Sequence, residues 1–522
     1  MSKSRDVQDR PRHLLRASML VIGIYGLNKV TGFMRLILMT QAFGAGPQAD
    51  AYAAANQLPE LFQAMLVGGA LAAALIPVYT AYLARGMRRP ARHLSDSVLT
   101  LVVVALGLCC ALAIWQAPWI VSHLLAPDFS PEQQALTASL MRILLLATFL
   151  LGIASVQSSL LNAHQHFLAP ALGTVVIDIG QILGLLILAP TLGIQGMAWG
   201  TVIGMLLYLC VQIPALARFR IAYRPRIFWR LRGLQELLRL MWPRIITLGS
   251  VQAVDLVLIR LASGLDEGSI SSYFYALLVV VLMPRSLFGA AISTVALPTL
   301  SEQYNLHDAK GMKRTLEQAL RAMWALSIPA VVGLVALGPP AIAFLFQRGS
   351  FDSQATALVY VMVVLLAPRL VAEATQDILS LHFYARHDTR GPMWASLGWM
   401  ALNIALSFWL VGPLGLGGLA LATTLAALAL AGALYLLIRL GSRSAGSGRL
   451  DEARLARTLG RICLACIAMI ATVLYVRTLG LTTTLYLGLA IGLGGAVYMG
   501  VYFMLGGREF ETAWRLLHEK KL

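Results

Sequence analysis

The feature that most constrains this chain is a series of apolar runs, each long enough to cross a bilayer, recurring from residue 14 to residue 505. A hydrocarbon core about 30 Å thick takes about 20 apolar residues per helix. Inside it, every backbone N–H and C=O must be paired within the segment, so such runs fold as helices. Fourteen segments qualify: 14–42, 52–83, 95–122, 135–162, 168–190, 193–217, 235–263, 268–302, 314–337, 353–385, 391–411, 414–440, 457–478 and 482–505. The expected fold class is an all-α polytopic membrane protein of about fourteen transmembrane helices. Composition agrees, since 12% of residues are charged where soluble domains average about 25%.

The formal charge of +17 would suggest nucleic acid in a soluble protein. Here its placement argues otherwise. Alternate connections carry the basic residues: Arg5 to Arg12, Arg85 to Arg92, Arg218 to Arg232, Lys310 to Arg314, Arg386 and Arg390, Arg443 to Arg457, and Arg515 to Lys521. The opposite connections, such as Gly44 to Asp50 and Asp128 to Glu132, are acidic or bare. By the positive-inside rule both termini are expected in the cytoplasm. The basic stretch before residue 14 precedes no convincing cleavage site and reads as the flank of a retained first span. All five cysteines lie in apolar spans, and the Cys463/Cys466 pair has no second pair or nearby His to complete a metal site. No metal or cofactor is expected.

An internal repeat is visible. Ala163 to Pro170, followed by Leu192-Gly193-Ile194-Gln195-Gly196, recurs 222 positions later as Ala385 to Pro392 followed by Leu414-Gly415-Leu416-Gly417-Gly418. Thr201 and Thr423 keep that offset, while Pro77 and Pro298 differ by 221. Six spans per repeat is an even number, so the two lobes are expected to be parallel-related about an axis along the membrane normal. The expected domains are an N-lobe at 1–222, a C-lobe at 223–441, and a C-terminal pair of spans with a basic tail at 442–522. Two such lobes suit alternating access around a central cavity.

Charges deep in the spans point to function, because each is costly in hydrocarbon. Lys29 and Arg35 in the first span are six residues apart, splayed by about 120° on an ideal helix; a break at the intervening Gly32 would aim both into a cavity. The alternative is pairing with an acid on a neighbouring helix. Arg244 and Asp255 share a face of the seventh span, and Arg285 follows Pro284 in the eighth. Arg369, Glu373 and Asp377 follow i, i+4, i+8 spacing in the tenth, either as a self-neutralising stripe or as an ion or charge relay; spacing does not separate these. Lys29, Arg35, Arg244 and Arg285 against one mid-span acid, Asp255, imply surplus positive charge and an anionic cargo such as a pyrophosphate. No nucleotide-binding loop or hydrolase motif is present. Transport would therefore draw on the membrane potential, a monovalent-ion gradient, or the gradient of the cargo itself.

The segments GFMRLILMTQAFGAGPQADAYAAANQLPELF (32–62), GGALAAALIPVYTAYL (68–83), LLNAHQHFLAPAL (160–172), ISTVALPTLS (292–301) and FYARHDTRGP (383–392) resemble the MurJ (MviN) family of lipid II flippases. That family falls within the multidrug/oligosaccharidyl-lipid/polysaccharide exporter superfamily. The resemblance spans the whole chain. It implies a transporter, not an enzyme, of the bacterial cytoplasmic (inner) membrane that flips the peptidoglycan precursor lipid II to the outer leaflet for cell-wall synthesis. It also implies a groove for the polyprenyl tail at 457–505. The family's first-span cations fall on Lys29 and Arg35, and its aspartate after FGAG on Asp50. The chain departs from the family pattern at Gln63, Gly68 and Val279, where relatives carry Arg, Glu and Arg. Arg285 lies six positions past Val279, on a different helix face.

The expected substrate-binding residues are thus Lys29, Arg35, Asp50, Arg244 and Arg285. Asp255, Arg369, Glu373 and Asp377 form the expected relay. Expected partners are an undecaprenyl-pyrophosphate glycan, membrane lipids and other cell-envelope synthesis proteins. The rivals are a flippase for a different undecaprenyl-linked glycan, a MATE-like ion-coupled exporter, a membrane-embedded glycosyltransferase or polymerase, and a non-transporting scaffold.

Overall fold

The computed structural model describes residues 5–507 except 68, 220, 222, 387, 389 and 445–449. The side chains of 5–22, 66–70, 73, 243, 244, 246, 247, 283, 286–291, 294, 295 and 441–444 also lie outside the described residues. The described residues are mostly helical and include no strand. The chain separates into two compact units, Met1–Ile270 and Ser271–Leu522.

The first unit contains α1 (Arg5–Phe43), α2 (Pro47–Phe62), α3 (Gly69–Ala84), α4 (Arg88–Trp115), α5 (Ala117–Ile120), α6 (Pro131–Ala163), α7 (Leu168–Leu183), α8 (Ala189–Leu192), α9 (Ile194–Arg218) and α10 (Arg232–Ala262). A buried core of Leu71, Leu75, Leu94, Val98, Val156, Leu160, Leu234 and Leu237 joins α3, α4, α6 and α10. The helix after the basic linker therefore packs within the first unit. Close packing of α7 on α9 depends on facing glycines: a Cβ on Gly200 would lie 2.6 Å from the Gly180 carbonyl oxygen. The glycines at 196, 200 and 204 recur every four residues and so give α9 the small-residue face that such close packing needs.

The second unit contains α11 (Ser269–Leu277, beginning at the boundary), α12 (Met283–Asn305), α13 (Ala309–Phe346), α14 (Ser353–Ala385), α15 (Arg390–Ser444), α16 (Glu452–Thr478) and α17 (Thr483–Met504). Leu300, Leu316, Met323, Ile378, Leu379, Leu434 and Ile438 form its core. The C-terminal pair α16 and α17 packs on α13 through Ile462, Cys466, Tyr498 and Tyr502, and the Tyr498 hydroxyl donates to the Ala325 carbonyl at 2.8 Å.

All fourteen expected spans fall on helical elements. Among the described residues, nine helices are long and apolar enough to cross a membrane; 391–411 and 414–440 belong to one of them, α15. Large apolar side chains such as Ile187, Trp409 and Met504 stand on the surface, which suits lipid as the solvent.

The repeat is written into the helix ends. α2 and α11 begin 222 residues apart, as do α7 and α15; α6 and α14 share that offset at both ends. Gly193 and Gly415, in corresponding positions, both adopt positive φ, 60° and 53°. An L side chain is disfavoured in that conformation, so the glycine keeps the tight reversal between consecutive spans. The second span of each sequence repeat is also interrupted by a π-helical turn, Gln63–Val67 and Leu278–Leu282, a device often found beside functional sites.

Candidate functional site

Among the described residues, each unit holds an arginine–carboxylate network inside its apolar helices. In the first, α1 runs through Gly32 without the expected break, so Lys29 and Arg35 stay splayed on one regular helix. The turn of α1 carrying Asn28, Thr31 and Arg35 faces α7. There the Asp178 carboxylate accepts from Asn28 Nδ2 at 3.0 Å and Thr31 Oγ1 at 2.9 Å, and lies 3.4 Å from Arg35 Nε. Arg35 Nη1 donates to Gln181 Oε1 at 2.6 Å, and Gln181 Nε2 donates to Thr201 Oγ1 on α9 at 2.9 Å. Tyr52 of α2 reaches the same Thr201 hydroxyl and lies within electrostatic range of Arg35. Two side chains of α7 thus hold the guanidinium while the Arg35 side chain stays 34% exposed. Lys29 is exposed, and among the described residues it forms no ion pair.

Asp178 and Gln181 were missed by sequence reasoning. Their signal was present, since Asp178 is the only charged residue in segment 168–190 and a lone intramembrane acid is rarely idle.

Asp50 lies apart from this network. It is 2% exposed and its carboxylate accepts from the Gly268 backbone N–H at 2.7 Å, fastening the turn at 266–268 to the start of α2. Gly268 has φ +83°, and a Cβ there would meet the Ala45 carbonyl oxygen at 2.5 Å. Asp255 on α10 is within electrostatic range of Glu60 on α2, which accepts from Asn56 Nδ2 at 2.5 Å. The expected site side chain of Arg244 lies outside the described residues, as does Gly68.

In the second unit, the i, i+4, i+8 stripe of α14 meets Arg285 from α12. Arg285 grips Asp377 with two bonds, Nε to Oδ2 at 2.8 Å and Nη2 to Oδ1 at 2.7 Å. Its Nη1 donates to Glu373 Oε2 at 2.6 Å, and Arg369 Nε donates to Glu373 Oε1 at 2.6 Å. Arg369 Nη1 continues to the Tyr273 hydroxyl at 3.1 Å, which donates to Thr423 Oγ1 at 3.4 Å. Two guanidiniums and two carboxylates form a neutral tetrad in which each carboxylate is engaged by charge-assisted bonds. Arg369 and Glu373 are mostly buried, whereas Arg285 is 39% exposed.

The two networks share a plan. Thr201 and Thr423 occupy corresponding places in the repeat, and Tyr52 and Tyr273 are 221 residues apart. In each unit the tyrosine meets the threonine hydroxyl next to an arginine. The equivalence was legible in the numbering, but its chemistry was not.

One expectation needs correction. The four cations of spans 1, 7 and 8 were set against a single acid, Asp255. Glu60 and Asp178 also lie in the first unit's helices, and Glu373 with Asp377 neutralises Arg285. The surplus of positive charge therefore does not extend to Arg285.

Comparison with known proteins agrees with this architecture. The family model described as "Lipid II flippase MurJ" matches residues 39–509. The lipid II flippase MurJ of Burkholderia cenocepacia is 27% identical over 417 residues, covering 78% of this chain and 80% of that protein. A probable lipid II flippase MurJ of Haemophilus influenzae is 27% identical over 472 residues, covering 86% and 90%. Among solved structures, a lipid II flippase MurJ in an inward closed conformation superposes with TM-score 0.78 at 22% identity, covering 95% of this chain and 100% of that one. An inward-facing MATE family multidrug transporter superposes with TM-score 0.69 at 15% identity, covering 82% and 98%. These two likenesses speak to the fold. The match across almost the whole length carries the stronger statement: this chain belongs to the lipid II flippase MurJ family of polytopic membrane transporters.

Proposed function

We propose that this protein flips lipid II, a lipid-linked peptidoglycan precursor, from the cytoplasmic to the outer leaflet of the bacterial inner membrane by alternating access, with both termini in the cytoplasm. The single observation that carries the site assignment is a partly exposed Arg35 held by Asp178 and Gln181 inside an apolar helix, with an exposed Lys29 six residues before it. A pyrophosphate offers several anionic oxygens. Arg35, with its fork set by Asp178 and Gln181, would bind them by charge-assisted hydrogen bonds, and Lys29 would add a mobile point charge. Arg244 is retained as a third candidate cation.

Arg285 is assigned a different role from headgroup binding. With Arg369, Glu373 and Asp377 it forms a relay whose net charge stays zero unless a proton or monovalent cation enters. Coupling to that ion or to the membrane potential would act through this group. Asp255, within electrostatic range of Glu60, is the candidate relay acid in the first unit. Asp50 is assigned to holding the 266–268 turn.

The test is translocation of lipid II by the purified protein in vesicles, together with rescue of a bacterium depleted of its own lipid II flippase. The wild type should do both, and Lys29→Ala/Arg35→Ala should lose at least about tenfold in rate, as expected for removing charge-assisted contacts. Undiminished flipping by a normally inserted double variant removes these residues from the mechanism. Flipping of a different undecaprenyl-linked glycan but not lipid II would reassign the cargo.

A further inference from the structure

We infer that the first unit carries a binding site for an anionic phospholipid, with one acyl chain in an apolar groove between α4 and α10 and the phosphate among the arginines at its rim. The site lies away from the Arg35 network and does not rest on the function proposed above.

The groove has a volume of about 220 Å³ and is lined by Val98, Val102 and Leu106 of α4 and by Leu237, Met241 and Ile245 of α10, with Trp242 at its edge. Its wall is almost wholly apolar. Pockets for drug-sized ligands run about 300–1,000 Å³ and present convergent polar groups, so the space suits a length of hydrocarbon chain. Leu238 and Trp242 are exposed, which leaves the groove open to a lipid entering from the side.

The rim supplies charge. The basic linker is strapped across the beginning of α4: Arg224 N–H donates to Asp96 Oδ1 at 3.0 Å, and Phe228 N–H donates to Ser97 Oγ at 2.9 Å. The His93 and Phe228 rings stack with centroids 4.0 Å apart. These bonds use the linker's backbone and leave the Arg224, Arg226 and Arg230 side chains exposed, as are those of Arg88, Arg89 and Arg92 near the start of α4 and of Arg232 and Arg239 near the start of α10. Among the described residues none of these eight arginines forms an ion pair. Glu236 is the one exposed acid in the first two turns of α10. Arg92 precedes Val98 by six residues and Arg232 precedes Leu238 by six, a rise of about 9 Å along each helix. That axial distance matches the reach from the phosphate of one lipid to its upper acyl chain. Charge complementarity therefore selects an anionic headgroup over a zwitterionic one.

The test uses the full-length protein, without cargo, in phosphatidylcholine nanodiscs containing brominated phosphatidylglycerol or, in parallel, brominated phosphatidylcholine. Bromine quenches nearby tryptophan, and subtracting a Trp242→Phe variant isolates the quenching at the groove. Phosphatidylglycerol should occupy the site at least about tenfold more favourably, and salt should erode the preference. Arg224→Gln/Arg226→Gln/Arg230→Gln should bring it to within about twofold, while the corresponding triple lysine variant keeps it. Ala105→Phe, which fills the groove without adding an indole, should lower quenching by both lipids. Equal quenching by the two lipids in the wild type, or a preference that survives high salt, overturns the proposal. So does an unchanged preference in the glutamine variant.

Discussion

Replacing Glu373 with Gln tests whether the tetrad of the second unit is a single electrostatic object. Glu373 Oε1 and Oε2 each accept from a different guanidinium at 2.6 Å, and its side chain is 10% exposed. Gln keeps one acceptor and turns an NH₂ group toward the other arginine, so one charge-assisted bond becomes a donor facing a donor. Asp377 still grips Arg285 with two bonds, and Arg285 is open enough for solvent to screen it. Arg369 is 14% exposed and donates through Nε to Glu373 Oε1 at 2.6 Å. Breaking a buried pair by removing one partner costs about 3–5 kcal/mol, and the surviving Asp377 contact places this case near 3 kcal/mol. At about 2–4 °C per kcal/mol for a unit of this size, the melting temperature of the purified protein should fall by roughly 6–12 °C. Arg369→Met/Glu373→Met removes both charges and should melt higher than the sum of the single losses predicts, by about 0.5–3 kcal/mol of coupling. A Glu373→Gln protein that melts with the wild type, or strictly additive single and double variants, would refute the tetrad as a coupled unit.

Three further outcomes follow from particular contacts. Asp178→Ala should lower lipid II translocation by about tenfold with normal membrane insertion, because Arg35 loses the carboxylate that orients it; a rate equal to wild type in the vesicle assay would contradict that role. Gly268→Ala should reduce stability by more than about 1–2 kcal/mol, since φ is +83° and the added Cβ meets the Ala45 carbonyl, and thermal melts that match wild type would show the turn is not needed. At the connection after α6, burial holds the His164 imidazole below its ordinary pKa, where it stacks on Phe219 at 4.8 Å beside the Tyr79 hydroxyl. Its unfolded form takes up a proton more readily, so this histidine should weaken folding as pH falls through the unfolded value near 6.5. His164→Phe should therefore flatten the loss of melting temperature between about pH 7 and pH 5, and an unchanged slope would rule it out.

Much of this molecule was legible from one dimension. Apolar run length alone located the helices, because a bilayer demands a minimum span and no polar backbone may face lipid. A constant offset of 221 or 222 residues exposed the duplication, and α6 and α14 repeat it at both ends. Intramembrane charges could be ranked as interesting because each is expensive, and the common face of Arg369, Glu373 and Asp377 followed from helical periodicity.

Partnership was decided only in three dimensions. Periodicity says which residues share a face; it is silent on which helix that face meets. Arg285 reads as an anion-binding cation until α12 and α14 pack together and two carboxylates close on it. Arg35 and Lys29 read as equals until the unbroken turn of α1 gives one of them to Asp178 and leaves the other exposed. Coulomb energy depends on separation and on the polarity of the intervening medium, and both are set by which helices lie side by side. Chain order therefore determined where the charges sit in the membrane-spanning segments, and tertiary packing determined which of them remain available to a ligand.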